Sequence, residues 1–303
     1  MSTRFQQLTL QNAELSLQLL PEHGGRIGRL QVRKHALDIL QPIDASQSLD
    51  PMNWPKGGAY PLIPYSNRIA NAQLRFAGRD YALPAHPLAL PHTLHGISHT
   101  LAWHVDSQST TQASLSLDYS GPHWPWPIRA EQHFELSGGR LQIRLALFNK
   151  GETPMPAGLG LHPYFLAHPQ LQASLSCTRQ WQITADYLST GQHRKGNVAM
   201  QLDSQAWQSE TCAHYLSQWT GKVDLDYPQG RLRLTASPEL SHLVVFAPAG
   251  SPYLCIEPVS HLADGFNLQP LLGELSGTQV VAPGESLSAD LCFEWIEPLQ
   301  RPG

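Results

Sequence analysis

Charge is scarce in this chain. Across 303 residues there are 20 Lys and Arg against 24 Asp and Glu, so charged residues make up 15%, where ~25% is typical of soluble proteins. A surface this sparingly charged suits a large core, and the formal net charge of −4 excludes the basic face that nucleic acid binding demands. Cysteine is as sparse. Cys177, Cys212, Cys255 and Cys292 stand far apart with no C-x-x-C pair, which predicts reduced thiols rather than a disulfide framework or a zinc site. No apolar run approaches the ~18 residues needed to span a bilayer. Met-Ser-Thr-Arg-Phe-Gln-Gln at the N-terminus lacks the basic and apolar regions of a secretory leader. The expectation is a cytoplasmic protein with no membrane or nucleic acid partner.

Several chemistries are missing too. There is no G-x-S-x-G elbow for a serine hydrolase, and no phosphate loop or dinucleotide fingerprint. Fifteen histidines raise the question of a metal. Yet no H-x-H or H-E-x-x-H appears, and the i, i+4 pair His95 and His99 converges on an ion only if it lies on a helix, in a region that reads as loop and strand. No metal and no cofactor are expected.

What the chain does have is alternation. Leu141, Ile143, Leu145 and Leu147 alternate with Gln142, Arg144 and Ala146; Leu15, Leu17, Leu19 and Ala113, Leu115, Leu117 repeat the pattern. A period of two marks strands with one buried face. Leu243-Val-Val-Phe246 and Tyr253-Leu-Cys-Ile256 are continuous apolar runs, as in strands covered on both sides. Turn signals such as Gly24-Gly25, Gly138-Gly139 and Pro283-Gly284 recur at short intervals. No capped amphipathic helix of 12 residues is evident. Residues 41–60 and 186–218 show little periodicity and are predicted as long loops. No repeat or linker divides the chain, so residues 1–303 are expected to form one all-β domain, a large β-sandwich.

Two residues stand out chemically, each just before a proline: His162 in Gly160-Leu-His-Pro-Tyr-Phe165 and Glu257 in Cys255-Ile-Glu-Pro258. A carboxylate at the end of an apolar strand is costly unless partnered, and burial raises its pKa into the range of a useful base. Brought together, an imidazole and a carboxyl make an acid/base pair. Asn67-Arg68-Ile69 places a rigid fork of donors in a polar island, and Leu94-His95-Gly96 adds a second histidine beside a glycine. Trp54, Trp124, Trp126, Tyr164 and Phe165 are candidate ligand-stacking or core aromatics.

These segments, in order from Gly24-Gly25-Arg26-Ile27 through Trp124-Pro-Trp-Pro127 to Ala282-Pro-Gly-Glu-Ser286, resemble the aldose 1-epimerase (galactose mutarotase) family over nearly the whole chain. The resemblance implies a galactose mutarotase-like super-sandwich with an open cleft, acting on a free hexose without a cofactor, as a monomer or homodimer. It implies His162 as the general acid at the ring oxygen and Glu257 as the general base at the anomeric hydroxyl. Asn67, Arg68 and His95 would bind the sugar. The family's hydroxyl-binding aspartate is replaced by Ala213 in Cys212-Ala-His-Tyr215, with Asp203 and Asp224 as candidate substitutes. Two other readings remain open: a non-catalytic sugar-binding or regulatory protein on the same fold, and an epimerase for phosphorylated hexoses. The latter needs a further cation beside Arg68, from Arg26, Arg75 or Lys56.

Overall fold

The computed structural model describes residues 6–44 and 49–298. The Met1–Phe5 segment on which the leader argument rests, and residues 45–48 of the expected loop at 41–60, lie outside the described residues. The fold is the expected all-β sandwich. Among the described residues, seventeen strands form one hydrogen-bonded antiparallel network from Leu8–Gln11 to Ser286–Ile296; beside it stand the hairpin of Gln73–Phe76 with Arg79–Ala82 and a pair of distant strands, Met155–Ala157 with Gln279–Val281. The α-helix, Gly265–Leu272, spans eight residues. Among the described residues, no helix is long and apolar enough to cross a membrane.

Five strands position the site: Ala59–Pro61, Leu161–Leu166, Tyr253–Val259, His242–Ala247 and Cys212–Tyr227, paired in that order. Their alternation divides two apolar clusters. Leu161, Phe165, Leu216, Leu243, Val245, Leu254 and Ile256 point into the main core. Their neighbours Tyr60, Tyr164, Tyr215, Val244 and Cys255 point the other way, into a second, aromatic-rich cluster. Because side chains alternate strictly along a strand, a slip of one residue would exchange the two sets, and the main core holds the register by burying its aliphatic set almost completely. The apolar runs at 243–246 and 253–256 are covered on both sides, as expected. Gly58 lets Ala59–Pro61 approach the neighbouring strand Arg26–Val32 closely: at φ +64, a Cβ there would lie 1.9 Å from the Ile27 carbonyl oxygen.

The expected loop at 186–218 is instead most of two long strands, Ser189–Asp203 and Cys212–Tyr227. Ser189–Asp203 pairs along one side only, with Gln172–Ile183; most of its residues are exposed, and its apolar period is confined to Val198, Met200 and Leu202 at one end. Residues 189–197 of this edge strand carry no large apolar side chain, so they offer no period to read. In Cys212–Tyr227 the period is broken where Gln218 takes φ +53.

Candidate active site

The antiparallel register decides the central geometry. Tyr164 pairs with Cys255 and Gly160 bridges Val259, so His162 stands opposite Glu257 on the neighbouring strand. His162 Nε2 lies 3.3 Å from Glu257 Oε1, with the side chains 6% and 3% exposed. The carboxylate is thus not at a strand end, as the sequence suggested, but inside a fully buried strand. The imidazole packs against two phenol rings, Tyr60 at 4.7 Å and Tyr164 at 4.6 Å between centroids, inclined to it by 24° and 21°. Arg26, from the Gly-Gly-Arg-Ile segment, is buried behind Tyr60 with its guanidinium 4.4 Å from that ring.

The electrostatics follow from burial. Desolvation pushes the Glu257 carboxyl up to about 8, opposed by the charge of Arg68. Desolvation also drives His162 well below 6.5, assisted by the positive charges of Lys56 and Arg26. Burial thus disfavours the charged form of both groups and favours a proton on the carboxyl over one on the imidazole.

His162, Glu257, Asn67, Arg68 and His95 all line one cavity of ≈ 200 Å³, a size suited to a ligand well below drug dimensions. Asn67 and His95 reach it from left-handed backbone conformations, φ +57 and +61. Asn tolerates that region better than most residues. The turn at His95 is completed by Gly96, where a Cβ would lie 2.4 Å from the Ile63 carbonyl oxygen. The Asn67 backbone N–H donates to His95 Nδ1 at 3.1 Å, so Nδ1 is the acceptor and neutral His95 carries its proton on Nε2. The Asn67 side-chain amide donates to the Tyr215 hydroxyl at 2.8 Å, while its oxygen accepts from Arg68. His261, further along the Glu257 motif, accepts from the Ser66 N–H at 3.1 Å and donates to the Leu262 carbonyl. It ties the Asn67–Arg68 loop to the Glu257 strand.

Other expectations fall elsewhere. Asp203 accepts from the backbone N–H of Gln205 and caps a short turn. Asp224 is clasped by Arg233 at 2.7 and 3.2 Å. Neither lines the cavity, because both lie on strands whose hydrogen-bonded surface partners claim them, so neither replaces the aspartate missing at Ala213. Trp54 and Tyr164 line the cavity, whereas Trp124, Trp126 and Phe165 belong to the main core. Lys56 lines the cavity; Arg26 is buried behind it, and Arg75 is an exposed surface group 73% accessible beside Asp80. The sequence reading passed over Tyr60, Tyr187, Tyr215 and Cys255. Parity finds one of them, since Cys255 lies two before Glu257 and shares its face.

His95 and His99 stand with ring centroids 6.3 Å apart and nearly perpendicular, His99 stacked on Tyr60. The metal-ligand types that do converge are His162, Cys255 and Glu257, whose ligand atoms lie within 4.8 Å of one another. A larger depression of ≈ 640 Å³ lies on the outer strands around His133, Arg144 and Asp290. Its polar groups are satisfied by one another, as Arg144 by Asp290 and His133 by Ser114, which leaves it no comparable chemistry.

An aromatic-walled cavity in an all-β sandwich, with a buried imidazole–carboxyl pair and amide, guanidinium and imidazole donors around it, is chemically able to bind a small polar ligand and to exchange a proton with it. The family model described as aldose 1-epimerase matches residues 6–294, and the chain belongs to that family. The uncharacterized protein YphB of Escherichia coli K12 is 27% identical over 255 residues, 78% of this chain and 84% of YphB. Among solved structures, a putative aldose 1-epimerase from Escherichia coli K12 superposes with a TM-score of 0.83 at 22% identity, covering 97% of this chain and 99% of that one. A galactose mutarotase-like protein from Clostridium acetobutylicum gives the same TM-score at 17% identity, with 96% and 95% covered.

Proposed function

We propose that this protein interconverts the α and β anomers of a hexose by acid/base opening and reclosure of the ring. The observation that carries the reading is the 3.3 Å contact of His162 with Glu257 on the wall of one sugar-sized cavity. The anomeric hydroxyl oxygen and the ring oxygen are bonded to the same carbon. A donor and an acceptor that serve both must be neighbours on one side of C1, which is how these two groups stand.

Before a sugar binds, burial favours the proton on Glu257. When the anomeric O–H donates to this carboxyl, the anion is favoured and the proton passes to His162 Nε2. Glu257 then takes the hydroxyl proton while His162 gives its proton to the ring oxygen. The C1–O5 bond breaks and C1=O1 forms. Rotation about C1–C2 turns the other carbonyl face toward O5, and the reverse transfers close the second anomer. Pair and sugar end with the protons they began with. Arg68, His95 Nε2–H and the Asn67–Tyr215 pair hold the remaining oxygens, so that little of the barrier is spent on orientation.

The test is NMR or polarimetry on freshly dissolved α-glucose and α-galactose. Catalysis of exchange is expected, with kcat/KM falling above about pH 8, where the pair of the free protein loses its one proton. No acceleration on a broad panel of aldoses sinks the proposal, and an alkaline limb near pH 5 removes Glu257 from it.

A further inference from the structure

The cavity holds more positive charge than a neutral hexose uses. Lys56 and Arg68 both line it, and Glu257 is the one carboxylate in its wall. Among the described residues, neither cation forms an ion pair. Arg68 leans on Asn67 Oδ1 at 3.3 Å and on the Tyr187 ring at 5.1 Å. The Lys56 ammonium lies 4.3 Å from the Trp54 ring centroid. Trp54 is itself fixed, its indole N–H donating to the Tyr164 hydroxyl at 3.1 Å, so the platform under the ammonium is joined to the stack that holds His162.

Depth separates the two ends of the cavity. His162 and Glu257 are almost fully buried, while Lys56 is exposed at the mouth. A pyranose with C1 against the pair presents its far end to the mouth, beneath Lys56. Seating a neutral sugar there strips water from an ammonium and returns no counter-charge. An anionic substituent returns a charge-assisted hydrogen bond.

We infer that the substrate is an anionic hexose, carrying a phosphate, sulfate or carboxylate group on a carbon remote from C1, with Lys56 as the counter-ion at the cavity mouth. This deepens the epimerase reading and rests on it for the placement of C1.

The experiment compares anomer exchange of glucose, glucose 6-phosphate, glucose 6-sulfate and glucuronate by NMR, for the wild type, Lys56→Met and Lys56→Arg. At least one anionic sugar is expected to exceed glucose tenfold or more in kcat/KM, with a margin that narrows as salt is added. Lys56→Met should cut that ratio about tenfold, chiefly through KM, and Lys56→Arg should keep most of it. The three anionic arms identify which substituent is preferred. Equal kcat/KM for glucose and every anionic analogue overturns the inference and leaves the epimerase reading standing, as does a preference that survives Lys56→Met. Calorimetric binding is read alongside: an anionic sugar bound in a Lys56-dependent manner but never exchanged supports the anion contact and sinks the epimerase reading instead.

Discussion

Glu257→Gln should damage activity and improve stability at once, and the second effect depends on pH in a way that few other causes imitate. Burial has moved the carboxyl from 4.5 to about 8, with only 3% of the side chain exposed to screen it. Between these values the unfolded chain has released its proton and the folded chain has kept it. The unfolded state therefore binds fewer protons, and stability falls as pH rises through that window. At about 1.4 kcal/mol per pKa unit, ionisable Glu257 costs about 3 kcal/mol at pH 7 and less than about 1 kcal/mol at pH 5. Glutamine ionises in neither state and keeps a donor and an acceptor for His162. The variant is expected to gain about 3 kcal/mol over wild type in urea unfolding at pH 7, with an unchanged m-value, and most of that gain should vanish at pH 5. Anomer exchange should drop by ~10²–10⁴-fold. Such an exchange of stability for function is common at strained sites. A gain of equal size at both pH values, or none at pH 7, refutes the burial argument; a variant that still exchanges anomers at the wild-type rate refutes the role of the carboxyl.

Three other outcomes are expected. His242 and His261 are buried neutral, with desolvation lowering each to about 4. The unfolded chain thus binds more protons below about pH 6.5, each residue costs about 2 kcal/mol at pH 5, and thermal melts followed by circular dichroism should weaken steadily from pH 6.5 to 4.5; a flat profile contradicts this. Zn²⁺ should inhibit anomer exchange reversibly, because His162, Cys255 and Glu257 offer converging nitrogen, sulfur and oxygen ligands. A chelator should restore the rate and Cys255→Ser should raise the inhibitory concentration, so equal inhibition of both proteins would count against that geometry. Asp224→Asn should leave kcat/KM within twofold, since this carboxylate serves Arg233 on the surface; a tenfold loss would return Asp224 to the sugar site.

The split between what was legible and what was not follows the physics of alternation. Leu141 to Leu147 declared a strand because one buried face imposes a period on the residues that fill it, and the run at 243–246 because cover on both faces makes successive positions apolar. Ser189–Asp203 declared little, since this edge strand meets the core with large apolar side chains only at Val198, Met200 and Leu202. The five proposed site residues could be named because their motifs are short and local, and the cavity collects all of them. The aromatic wall was harder to see. Tyr60 and Tyr215 come from separate parts of the chain and meet His162 and Asn67 only through strand pairing.

The sequence by itself determined an all-β chain with an imidazole and a carboxyl to spare, because side-chain period and proton chemistry are properties of neighbours along the backbone. Tertiary structure alone decided that His162 stands opposite Glu257, that Asp224 is occupied elsewhere, and that Lys56 rather than Arg75 reaches the cavity. Those facts depend on antiparallel register and on what burial does to charge. Both arise only when distant segments are laid side by side.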